Sequence, residues 1–189
     1  MDRGDIVKKD ETKDYVERDI LINSYYLINL FEKHAKTKHE ESASITNLKL
    51  QKLMYFVEAY YMVRYPDENG LFNSQWNAWN YGPVNQILYN YYRKFGSMEI
   101  TLTSAEIAVG EDLPEINKNC ISKIYELFGN LDAFELVTLT HMKDSPWDSV
   151  TSSGGYDFNK LNSSIIPKKI TKNWFEKEFD FIFQNDEGK

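Results

Sequence analysis

The sequence predicts a mainly α, compact single-domain bundle of about six helices with a small β-hairpin or short sheet. Three observations carry this. Apolar residues recur at three- and four-residue spacing in six separate stretches. Helix-start and helix-stop chemistry falls between them. No linker is long enough to divide the core, and short connections favour packed neighbouring helices.

Residues 18–36 form the first expected helix, with Leu21, Tyr25, Leu27, Ile28 and Phe31 along its apolar side. The polar stretch 37–45 reads as a loop. The second helix opens at Thr46-Asn47, either of which can cap free N–H groups. Leu50, Leu53, Met54, Val57, Tyr60 and Tyr61 then make one stripe, with Lys49, Lys52 and Glu58 mainly on the opposite, solvated side. It stops before Pro66, and Asp67-Glu68-Asn69-Gly70 is turn chemistry.

Phe72, Trp76 and the alternation around Ala78 predict a short strand or hairpin arm. Tyr81-Gly82-Pro83-Val84 follows, and Pro83 suits the first position of a third helix running to about Phe95. Residues 97–113 are ambiguous; Met98-Glu-Ile-Thr-Leu102 fits the second strand of a small sheet. Pro114 opens a helix closed by Gly129. Asp132-Ala-Phe-Glu135 has capping-box spacing and starts the next, which Asp144-Ser145-Pro146-Trp147 breaks. Ser152-Ser-Gly-Gly155 reads as a loop. The last helix starts near Thr171 and buries Trp174 and Phe175.

Composition narrows the function classes. The 189 residues carry 22 Lys plus Arg against 29 Asp plus Glu, a net charge of −7. That supplies no overall field toward nucleic acid, so direct nucleic-acid binding is not expected. No run of about 20 apolar residues can span a bilayer, and no apolar core follows the charged N-terminus, so a cytoplasmic protein without membrane association is expected. Residues 1–17 read as a charged mobile tail ahead of a domain over 18–185, and the stretch from Asp186 as a second short tail. The single Cys120 excludes an internal disulfide and reads as a buried, inert thiol.

No catalytic or cofactor motif is present. There is no glycine-rich phosphate loop, no H-E-x-x-H and no G-x-S-x-G elbow. His34 and His39 straddle a helix end at poor ligand spacing, and Asp67–Gly70 is too short for a calcium loop. No cofactor and no metal are expected.

Two constellations remain. Asn47, Lys49, Gln51, Lys52 and Tyr55, followed by Trp76, Trp79 and Tyr81-Gly82-Pro83, read as a partner-binding surface of aromatic anchors and cationic stems. They read equally as core aromatics beneath a solvated lysine face. Tyr55, Phe56 and Tyr60 favour core. Trp76 and Trp79 divide evenly, because a small sheet buries one side. The second constellation is His141 with Asp144, Pro146 and Trp147. It reads as a histidine tuned by Asp144, or as a helix-end histidine bonding the turn over Trp147. A lone histidine with no second acid, base or nucleophile makes a poor catalytic centre, so the second reading is preferred.

In this order the segments resemble the Panacea domain, or antitoxin SocA-like, family. Ile45-Thr-Asn-Leu-Lys-Leu-Gln-Lys-Leu-Met-Tyr-Phe56 is similar to its opening helix, Trp79 with Tyr81-Gly82-Pro83-Val84 to its W-x-Y/H-G-P-V segment, and His141 with Pro146-Trp147 to its H-x-x-x-P-W segment. Ile166 and the helix at 171–183 also fit, so the resemblance covers about 18–183. It implies a bacterial, phage or prophage protein that neutralises a cognate toxin by direct binding in a type II toxin–antitoxin module. It also implies, as an alternative, an adaptor that delivers its partner to a protease such as a Clp-type machine. An enzyme using His141 is the third reading, and a non-enzyme is expected. The resemblance transfers no chemistry to the motif residues, which are candidates for structural or partner-contact roles. Oligomeric state is not readable from the sequence.

Overall fold

One helix, α2 (Asn47–Arg64), organises the molecule, and it does so by being buried on every side. The structure is a computed structural model and describes residues 11–38, 44–65, 69–152 and 164–183. Around α2 stand α1 (Glu11–Lys38), a hairpin of β1 (Trp76–Trp79) and β2 (Gly82–Val84), and α3 (Gln86–Tyr92), which runs into a 3₁₀ turn at Arg93–Phe95. Then come α4 (Ser104–Glu111), α5 (Glu115–Phe128), α6 (Ala133–Thr140), α7 (Pro146–Ser152), β3 (Ile165–Ile166), α8 (Lys168–Lys177) and α9 (Phe179–Phe183). The architecture is mainly α with a short three-stranded antiparallel sheet, as the sequence predicts.

The core is aromatic. Tyr55 meets Trp76 edge-on at 5.2 Å between ring centroids, Phe56 meets Phe128 at 4.9 Å, and Phe175 stacks on Phe183 at 5.6 Å. Such pairs add roughly 0.5–1.5 kcal/mol each beyond their buried area. They join α2 to β1 and α5, and α8 to α9, while Phe56 also meets Phe175 at 5.9 Å and so brings α8 onto α2. Cys120 is buried, and burial pushes its thiol up to about 12.

Several boundaries differ from expectation. The first helix starts at Glu11, so 11–17 belong to α1; residues 1–10 and the stretch from Asp186 lie outside the described residues. So do His39, Pro66–Glu68 and Ser153–Gly155. Residues 98–102 are not a strand: the Ile100 N–H donates to the Ile45 carbonyl (2.9 Å) beside α2, and Thr103 then starts α4 in a full capping box with Glu106. Pro83 is not a helix start. It sits in β2, an edge strand, where its missing N–H costs no ladder bond. The helix start falls to Asn85, whose Oδ1 accepts from the Ile87 and Leu88 N–H groups (3.0 and 3.3 Å). The last helix begins at Lys168 and breaks at Glu178.

Candidate partner-contact site

The polar residues of α2 do not form a solvated face. Lys49, Gln51, Lys52 and Glu58 are all buried. The reason is physical: α2 is enclosed by α5, α6, α8, the hairpin and α3, so no side of it is left for water. A buried polar group must then find a partner, and each of these reaches a different element.

Asn47 Nδ2 donates to the Tyr89 carbonyl (3.4 Å), and Gln51 Nε2 donates to Asn47 Oδ1 (3.2 Å). Gln51 Oε1 accepts the Asn85 N–H (2.8 Å), and Asn85 Nδ2 donates to Ser74 Oγ (2.8 Å). This chain of carboxamides fixes both ends of the hairpin and the start of α3. Lys49 Nζ donates to the Gly129 carbonyl (2.7 Å) at the end of α5, where the helix dipole favours a cation, and lies 4.7 Å from the centre of the Phe31 ring. Burial lowers its pKa, while Asp132 and Glu135 act to raise it. Tyr55 shares a hydrogen bond with Thr171 Oγ1 (3.2 Å) on α8. Glu58 Oε2 accepts from the Leu71 and Phe72 N–H groups (2.9 and 3.0 Å), and its Oε1 pairs with Lys168 Nζ at 2.9 Å.

Lys52 is the unusual member. It is fully buried, and its Nζ donates to the Pro83 carbonyl at 2.8 Å. No carboxylate pairs with it among the described residues, and burial alone lowers its amine from 10.5 to about 7. Next to it the chain passes through Gly82 at φ +94°; a Cβ there would stand 2.5 Å from Thr140 Oγ1 and 3.1 Å from Lys52 Nζ. Only glycine fits this point, where α2, the hairpin and α6 come closest.

His141 closes the junction. It ends α6, and its Nδ1–H donates back to the Val137 carbonyl at 2.7 Å. Its ring lies against Trp147, 3.7 Å between centroids, and a bond to the Asn80 backbone links it to the hairpin turn. Burial lowers its pKa, Lys52 adds to the lowering, and the bonds to Val137 and Asn80 oppose it. Asp144 does not tune it. Asp144 is exposed at φ 62°, its N–H bonded to Asp148 Oδ2 (2.9 Å), and Asp148 is the carboxylate acting on the ring. Ser145 Oγ caps α7 by accepting the Asp148 N–H, and Pro146 fills the first helical position. Trp147 Nε1 donates to the Trp79 carbonyl at 2.8 Å, tying α7 to β1.

The candidate residues therefore divide. Asn47, Lys49, Gln51, Lys52, Tyr55, Trp76, Gly82, Pro83, Pro146 and Trp147 are buried, and His141 is half-buried; together they hold the hairpin in place. What they hold out to solvent is Tyr81, 59% exposed at the hairpin turn. Its ring meets Phe134, 63% exposed, at 6.2 Å. Half-buried Trp79 meets the exposed Tyr89 at 4.7 Å on the other side of the turn. Exposed Asp132 and Glu135 flank Phe134. Phe134 and Tyr89 are not among the residues the sequence singled out. The sequence groups Phe134 with Val137, Leu139 and Met142 as the apolar set of the helix that Asp132 starts; the structure instead turns Leu136 and Thr140 inward, and a residue two positions before Leu136 lies on the opposite face.

Among the described residues no group of three or more His, Cys, Asp or Glu side chains is placed to hold a metal ion, and no helix is long and apolar enough to cross a membrane.

Comparison with known proteins fits this junction. The family model described as antitoxin SocA-like, Panacea domain, matches residues 50–148, just over half of the chain. Those limits run from within α2 to within α7 and enclose the hairpin, His141 and Trp147. The chain is also 28% identical over 134 residues to the antitoxin SocA of Caulobacter vibrioides (strain NA1000 / CB15N), covering 67% of this chain and 70% of that protein. No solved structure matches significantly. The chain thus belongs to the antitoxin SocA-like, Panacea domain family.

Proposed function

We propose that this chain is an antitoxin, one that neutralises a partner toxin by direct protein binding in a type II module, and that the hairpin tip is its contact surface. Family membership supports the role. The observation that carries the surface is Tyr81 and Phe134, two large rings exposed side by side at the one turn that the buried motif residues fix. Aromatic anchors on a rigid mount are what interface hot spots need, since little side-chain order is left to impose on binding. Asp132 and Glu135 beside them, on a chain of net charge −7, suit a basic partner face whose Arg or Lys can lie over the rings.

The role is binding and not catalysis. His141 commits its Nδ1–H to a helix carbonyl and its ring to Trp147, which is a joint in the scaffold. The domain includes the whole of α1 from Glu11 onward and acts in the cytoplasm with its toxin.

Co-expression tests the role. The product of the adjacent gene is expressed alone and with this chain, and growth is measured. Growth arrest by the neighbour alone, relieved by this chain, is expected. A harmless neighbour, or arrest that persists with both proteins present, refutes it.

A further inference from the structure

At the open end of the hairpin, away from its turn, a cleft of about 690 Å³ is bordered by β3, β1 and the loop leading into β1. Its volume is that of a ligand site, yet its walls are neutral and rich in carboxamides: Asn73, Gln75, Asn77 and Gln86. None of these four side chains has a hydrogen-bond partner among the described residues. Asn77 is the most enclosed of the four, at 8% exposed. Trp76, also in the wall, keeps a buried indole N–H with no acceptor among the described residues. Buried polar groups are normally paired, and those that are not call for an explanation.

The charge at the rim is already engaged. Lys168 directs its ammonium to Glu58 and to the Asn69 and Phe72 carbonyls. An uncharged occupant follows. Ile87 and Ile165 give the cleft apolar wall, with Ile165 46% exposed on β3, the strand at the edge of the sheet. Carboxamides offer a donor and an acceptor at once, which is what a peptide bond presents in reverse. We infer that this cleft is a binding site for a short, extended, uncharged polypeptide segment, held by main-chain hydrogen bonds to the carboxamides and to the β3 edge.

Neither the toxin nor the hairpin tip is needed to test this. The full chain is immobilised and panned against a phage-displayed library of random dodecapeptides. Asn73→Ala/Gln75→Ala/Gln86→Ala, three exposed positions, is panned in parallel after circular dichroism confirms its fold. The expected result is convergence on uncharged, β-prone peptides. A synthetic representative should bind the wild type at least tenfold more tightly than the triple variant by calorimetry, and bind Tyr81→Ala as well as it binds the wild type. No convergence, convergence on charged peptides, or equal binding to wild type and triple variant would overturn it.

Discussion

Lys52→Met separates the junction's electrostatics from its packing. Methionine keeps the length and apolar stem of the lysine and removes the amine. In the folded chain burial lowers that amine from 10.5 to about 7. Between these values the unfolded chain binds more protons than the folded one, so wild-type stability rises with pH through the window. Below pH 7 the penalty is present in full, because the folded protein must then bury a charge. At about 1.4 kcal/mol per pKa unit, going from pH 7 to 9.5 should stabilise the wild type by about 3 kcal/mol through this group. The substitution also leaves the Pro83 carbonyl without its donor, a cost of about 1–3 kcal/mol that does not vary with pH. Urea denaturation at half-unit steps from pH 7 to 9.5 reads the effect. At about 2 kcal/mol per molar urea, the wild-type midpoint should climb by more than about 1 M relative to the variant. Parallel curves for the two proteins would refute the claim that an unpaired amine is buried between α2 and β2.

Glu58 gives the complementary slope. Burial raises its carboxyl from 4.5 to about 7, so the folded chain holds more protons between these values and wild-type stability falls as pH rises through that window. Glu58→Gln should flatten a second urea series run from pH 5 to 7; an unchanged slope would count against it. Gly82→Ala should cost well over the roughly 1–2 kcal/mol that positive φ alone imposes, because its Cβ meets Thr140 and Lys52. Gly96→Ala, at φ 59° and ψ −121° with open space around it, should cost its backbone strain and nothing for contact. Equal melting temperatures for the two would show that the junction is not tight. Trp147→Phe removes the bond to the Trp79 carbonyl and should cost about 1–2 kcal/mol, with faster amide exchange in β1 and β2. Exchange unchanged in the hairpin would mean that α7 does not hold it.

Much of the scaffold was legible because its signals are local. Thr46 caps α2 and Asp132 and Glu135 form their capping box, each as residue chemistry dictates, and Trp76–Trp79 is the expected strand, though its partner is Gly82–Val84 and not 98–102. Lys49, Lys52 and Glu58 misled because a helix stripe implies a wet face only when one side of the helix is uncovered. Pro83 misled because a first helical position and an edge strand tolerate a missing N–H equally. Pairing with Ala78 decides between them, and that is a tertiary fact. The third strand, Ile165–Ile166, pairs with Trp76 and Asn77, far back along the chain, which no local pattern encodes. The same burial sharpened the site. Most of the motif residues turned inward, leaving Tyr81 with its neighbour Phe134 as the part that faces outward.

The central claim is that this outward part makes the contact. Once the adjacent gene product is purified, its affinity for the wild-type chain and for Tyr81→Ala/Phe134→Ala decides it. Both rings are exposed, so the double variant should melt as the wild type does. The double variant should bind at least about thirtyfold more weakly, the loss of a hot spot worth about 2 kcal/mol or more. Affinity within about twofold of wild type, a difference of under about 0.5 kcal/mol, would place the toxin contact elsewhere on the molecule.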